Sequence, residues 1–140
     1  MKRLTIALLA GACMLAGCAT EYHPLNSEGG YSEKPLGPGV WQVKIDSSPY
    51  THARLVQDFS LLRSAELTLQ QGYSSFGLSA SDSAALVLSG QPAQAVPPGP
   101  DLLVRMSHQP ADSKRAIYDA RVVCAQLGSY YEVTCAPRSN

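Results

Sequence analysis

The chain lacks a long hydrophobic run. Its apolar segment from Leu4 to Met14 spans about 11 residues, whereas a helix needs about 20 to cross a bilayer core. It also lacks an excess of charge of either sign: 11 Lys and Arg face 11 Asp and Glu. Nucleic acid demands a concentrated basic face, so no nucleic-acid partner is expected. Aromatics are sparse, with two Phe and one Trp beside seven Tyr, and only four residues are Cys. No G-x-S-x-G, P-loop, Cys/His pairing or cluster of metal-ligand residues occurs. That leaves no motif on which to place a catalytic residue, and none is assigned. The three histidines, His23, His52 and His108, are scattered, so neither a metal site nor another cofactor is expected.

What is present is concentrated at the start. Lys2 and Arg3 make a positive n-region, and Leu4 to Met14 has the length of a secretory h-region. Leu15-Ala16-Gly17-Cys18 then reads as a lipobox. Small residues ahead of the cut admit a peptidase, and a cysteine thiolate is the nucleophile that takes a lipid. Residues 1–17 are therefore expected to be a lipoprotein signal peptide, with Cys18 as the lipidated first residue. One acyl chain holds a protein only marginally, and two or more hold it firmly. Ala19 follows the cysteine in place of the aspartate that retains enteric lipoproteins in the inner membrane. The expected location is the outer membrane, facing the periplasm, with the inner membrane as the alternative.

Removing the signal leaves 140 − 17 = 123 residues, enough for one domain. Lys2 and Arg3 leave with it, so 9 basic and 11 acidic residues remain, a net charge of −2. Such a surface adds no electrostatic attraction to anionic lipid. Cys13 leaves with the signal and Cys18 carries lipid, which leaves Cys124 and Cys135 as a pair in an oxidising compartment. They are expected to form a disulfide.

The mature chain then divides. Residues 18–39, rich in Gly, Pro, Ser and charge, carry no apolar period; with the anchor at their head they read as a flexible tether that lifts the domain off the membrane by tens of ångströms. Residues 40–136 form a single α+β domain. Trp41 to Asp46 alternates as a half-buried strand does. Thr51 is a candidate cap for a helix running to about Gln71, with Gly72 as its stop. Leu55, Phe59, Leu62, Ala65 and Leu69 share one helical face, and Val56, Leu61 and Leu67 widen it, so more than one side should be covered. Asp58 and Glu66 lie eight residues apart, about 12 Å along the axis. That is too far for a shared glycosidic bond; ion pairs with Arg54 and Arg63 are expected instead.

Tyr73 to Leu78 predicts a second strand, and the right-handed crossover rule makes it parallel to the first. Residues 79–100, dominated by Ser, Ala, Gly, Gln and Pro, read as a mobile insertion in which only Ala84 to Leu88 has strand character. Asp101 to Ser107 is a third strand. For residues 115–128, Ile117, Ala120, Cys124 and Leu127 favour a helix, with Asp112 or Ser113 as cap and Gly128 as stop, while Tyr118, Ala120, Val122 and Cys124 also alternate as a strand would. Tyr130 to Cys135 predicts a last strand. The sum is a β-α-β-β-α-β two-layer sandwich.

Leu61-Leu62-Arg63-Ser64-Ala65-Glu66-Leu67-Thr68-Leu69, then Gly72-Tyr73 and Phe76, resembles a family of uncharacterised bacterial envelope lipoproteins. Gly30-Tyr31-Ser32, the strand at Val43, Thr51 and Asp58, and Tyr118-Asp119-Ala120 after Leu103 to Met106 extend the similarity over residues 30–78 and 101–131. The resemblance implies an envelope location and no activity or site. The function expected is a non-catalytic binding module that contacts an envelope protein, peptidoglycan or lipid through Trp41, Tyr73, Phe76 or the 79–100 segment; the competing reading of these aromatics, Trp41 and Phe76 above all, is that they belong to the core. The alternatives are an assembly accessory of an envelope complex and, less favoured, a small periplasmic enzyme.

Overall fold

The computed structural model describes residues 21–135; the expected signal peptide and the expected lipidation site, Cys18, lie outside that range. The elements are β1 (Gly30–Gly37), β2 (Val40–Asp46), α1 (Ala53–Gln70), β3 (Ser75–Ala80), α2 (Ala84–Leu88), β4 (Asp101–Ser107), β5 (Tyr118–Asp119) and α3 (Ala120–Tyr131). The strands form one antiparallel sheet in the order β1-β2-β4-β3-β5. Helices α1 and α3 pack on each other and on one face of it, so the α+β architecture is that of a two-layer sandwich. Among the described residues no helix is long and apolar enough to cross a membrane.

Alternation sorts the strands. Val43 of β2, Phe76 and Leu78 of β3, and Leu102, Val104 and Met106 of β4 point inward and meet Ala65 and Leu67 of α1 and Ala120 and Val123 of α3. Val40 and Leu103 point outward, where Val87 of α2 and Ala93 cover one patch. The middle of α1 is buried all round, as its wide apolar arc implied. Its buried Ser60, Ser64 and Thr68 satisfy their hydroxyls locally, by donating to the carbonyls of Gln57, Ser60 and Ser64.

Several expectations are corrected. Strands β2 and β3 do run parallel, but β4 slots between them antiparallel to both, so they do not pair. Most of the expected tether is folded. The chain turns at Asn26 to Gly29 and runs back as β1, an edge strand paired along β2 from Gly30↔Asp46 to Gly37↔Val40. Gly29 and Gly30 are required there: both have positive φ, and a Cβ would meet the Asp46 carbonyl oxygen at 2.6 Å and the His23 carbonyl oxygen at 2.5 Å.

The 79–100 segment is also built. Its Ala84–Leu88 stretch is the helix α2 and no strand, Val87 is buried, and Ala95 bridges Ser79. Helix α1 starts after His52 without a side-chain cap. The Thr51 hydroxyl meets Ser48 Oγ at 3.3 Å in the preceding turn. Over residues 115–128 helix prevails from Ala120, capped by Asp119, whose Oδ1 accepts from the backbone of Arg121 and Val122. Asp112 instead caps a 3₁₀ turn over Ser113–Arg115. Gly128 does not stop α3, which runs on through Tyr130 and Tyr131, so no final strand forms. Cys124 and Cys135 are joined, with their Cα atoms 6.1 Å apart.

Candidate functional site

Two polar sites stand out. The first is buried and ties the start of the domain to α1. Glu33 occupies an inward position of β1 and faces Arg63, which is only 7% exposed. The guanidinium grips Glu33 in a fork, Nη2 to Oε1 at 2.5 Å and Nε to Oε2 at 3.3 Å, and its Nη1 donates to Glu66. Arg63 also lies 4.4 Å from the centre of the Tyr31 ring. Burial works against its charge, but the Glu33 carboxylate outweighs this and holds the guanidinium above its ordinary range. Tyr22 closes the cluster by donating to Glu66 Oε1 at 3.1 Å. Burial first, and then the Glu66 charge, raise its phenol far above the usual tyrosine range.

This arrangement is a structural clamp. Every polar side-chain atom that is fully buried among the described residues has a partner, and the ring of Tyr22 is tilted against Tyr31 at 4.7 Å and meets Phe59 edge-on at 5.4 Å. Asp58 and Glu66 serve different partners: Asp58 accepts from Tyr131 at 2.6 Å and pairs with Arg54 at 3.4 Å, while Glu66 accepts from Arg63 and Tyr22. The two carboxylates act in separate ion pairs, as their spacing implied. No three His, Cys, Asp or Glu among the described residues lie close enough to hold a metal ion.

The second site is open. On the outer face of the sheet a cleft of about 480 Å³ runs over the far half of β3 and β4. Its floor is Gly77 and Ser79 beside Arg105 and Ser107, and Gly77 and Arg105 are cross-strand partners. One wall is Val87, Pro92, Ala93 and Ala95, so the 79–100 segment lines the cleft. The other wall is Gln109, Arg115, Ala116 and Ile117. Ser75 pins that second wall to the sheet by donating to the Gln109 carbonyl at 2.6 Å.

The two arginines differ. Arg115 donates to Asp112 Oδ2 at 2.7 Å, and this bond, with help from the Lys114 backbone, holds the Asp112 carboxyl below its usual range. Arg105 stands exposed on the central strand and makes no ion pair or side-chain hydrogen bond with a described residue. A glycine opposite it leaves the floor open, because a Cβ at position 77 would meet nothing nearer than the Ala116 carbonyl oxygen at 3.9 Å. A guanidinium flanked by hydroxyls and an apolar wall can grip a carboxylate and cover a small apolar group beside it.

Of the aromatics offered as contact residues, Phe76 is core and Trp41 is packed against it, as the competing reading holds, while Tyr73 stacks on His108. None of the three lines the cleft. The 79–100 segment, read from sequence as a mobile insertion and one of the contact surfaces offered, lines the cleft, whereas the sequence alone does not single out Gly77 and Arg105. The one available signal was a glycine and an arginine at outward positions of strands whose inward positions are apolar, and this becomes informative only once the register pairs them. No family model, curated protein or solved structure matches the chain.

Proposed function

We propose that the chain is a lipid-anchored lipoprotein of the bacterial envelope, cut before Cys18 and held by acyl groups on that residue. Its domain is a non-catalytic binding module facing the periplasm, at the outer membrane, and belongs with the envelope lipoproteins that its helix motif resembles. The cleft is its binding site. The observation that carries this reading is Arg105: a guanidinium on the central strand, without an ion partner among the described residues, above a floor kept open by Gly77. Its ligand is a peptide carboxylate with a small apolar neighbour, a chemistry offered both by envelope proteins and by the stem peptides of peptidoglycan.

The test is Gly77→Leu in the full chain. The strand backbone accepts a side chain at this position, and the larger side chain fills the floor. Crosslinked envelopes are solubilised and the protein is recovered, and separately the purified protein is co-sedimented with isolated peptidoglycan. The reading predicts that one of the two associations exists and weakens at least about tenfold, or ~1.4 kcal/mol, in the variant. A stoichiometric protein partner that the substitution leaves unchanged favours the assembly accessory instead.

A further inference from the structure

The lipid-anchored reading has a geometric consequence. The domain begins at Tyr22, whose ring and hydroxyl are locked on Tyr31, Phe59 and Glu66. Between it and Cys18 lie only Ala19, Thr20 and Glu21. Four Cα–Cα steps span at most about 14 Å, less than the thickness of a headgroup layer plus the width of one helix. An acylated Cys18 therefore leaves the domain no room to stand off, and the end of the molecule nearest Tyr22 must meet the bilayer surface.

That end can be identified from the contacts. β2 finishes at Asp46 against Gly30, the chain turns through Ser47 to Thr51, and α1 begins at Ala53. α3 returns along α1, bringing Tyr131 onto Asp58 and Phe59. The Asn26–Gly29 turn, the turn before α1 and the end of α3 thus share one end, and Tyr22 packs beside it, reaching from Tyr31 to Phe59 and Glu66 on α1. Three of the most exposed large apolar side chains among the described residues stand there: Tyr50 at 94%, Tyr130 at 77% and Leu25 at 50%. Tyrosines with an apolar ring and a wet hydroxyl suit the headgroup layer. Charge at this end is mainly acidic, with Arg54 against Glu28, Asp46, Asp58 and Glu132, so apolar contact drives the docking and anionic lipid is not needed.

We propose that this end of the domain lies on the bilayer, with Tyr50 and Tyr130 at headgroup level. The cleft, on the sheet face toward the Ser75 and Ser107 ends of β3 and β4, then lies away from the membrane. The proposal rests on lipidation at Cys18, and its test separates the two.

The mature lipidated protein is reconstituted in phosphatidylcholine vesicles containing a headgroup-spin-labelled lipid. Fluorophores are placed one at a time on cysteines introduced at Ser27, Pro49 and, as the distant control, Lys114, all exposed; Cys124 and Cys135 are occupied by their disulfide. Quenching is expected to be several-fold stronger at 27 and 49 than at 114, to persist in high salt, and to weaken at 49 when Tyr50 and Tyr130 are both replaced by Ser. Equal quenching at all three sites, or none, in protein that floats with the vesicles and carries acyl mass overturns the docking alone. Protein whose mass shows no acyl group overturns the anchor, and the docking with it.

Discussion

Arg63 and Tyr22 decide how the domain begins. Burying one guanidinium between two carboxylates is costly, and breaking such a group by removing one partner leaves a charge stranded, typically at about 3–5 kcal/mol. The cluster therefore acts most directly on register. A one-residue slip of β1 would carry Glu33 out to solvent and turn Lys34 inward toward Arg63. Tyr22 contributes in a pH-dependent way. Burial and Glu66 raise its phenol in the folded state, while in the unfolded chain it ionises near pH 10, roughly the free value. Its contribution is complete below that pH and is lost above it, as the unfolded chain gives up its proton first. Denaturant midpoints measured from neutral to alkaline pH should hold steady and then fall above about pH 10, and Tyr22→Phe should flatten the part of that fall due to this phenol.

At the scale of elements, α3 ends in a residue that its backbone does not favour. Glu132 takes the left-handed conformation at φ 57°, with its N–H bonded to the Gly128 carbonyl. Glycine adopts this geometry without a Cβ penalty. Glu132→Gly should stabilise the domain by about 1 kcal/mol, seen as a raised denaturant midpoint at constant slope; an unchanged or lowered midpoint contradicts this account of the cap.

The same scale explains what was legible in the sequence. β2 and β4 announce themselves because their inward faces are apolar at a strict period, and α1 through its length and its apolar residues at helical spacing, although Ser60, Arg63, Ser64, Glu66 and Thr68 are buried with them. β1 does not: its inward residues are Tyr31, Glu33 and Pro35, a charged position whose partner Arg63 stands thirty residues away. Its proline also reads as a strand breaker, although an edge strand tolerates a missing N–H. The Gly29-Gly30 pair reads as looseness where it is a steric requirement. Residues 130–135 alternate convincingly but are claimed by α3 and its disulfide. The disulfide followed from cysteine arithmetic alone. The cleft did not, because Gly77 and Arg105 become neighbours only through a sheet order in which β4 separates β2 from β3.

Taken whole, the molecule has two ends with different surfaces. One gathers the Asn26–Gly29 turn and exposed tyrosines; the other carries an open cleft with Arg105 at its floor. The Cys124–Cys135 link fixes the tail that leaves α3, and the Glu33–Arg63 clamp fixes the strand that precedes the hairpin. With both ends of the domain fastened, the cleft keeps a set orientation to the end where Tyr22 packs. The most direct measurement is site-specific photocrosslinking in intact envelopes from a photoreactive side chain at Gln109, on the cleft wall, and from one at Gln57, on the exposed side of α1. The account predicts a discrete adduct from position 109 that Gly77→Leu abolishes, and no such adduct from position 57. No adduct from 109, or one that persists when the cleft floor is filled, would contradict it.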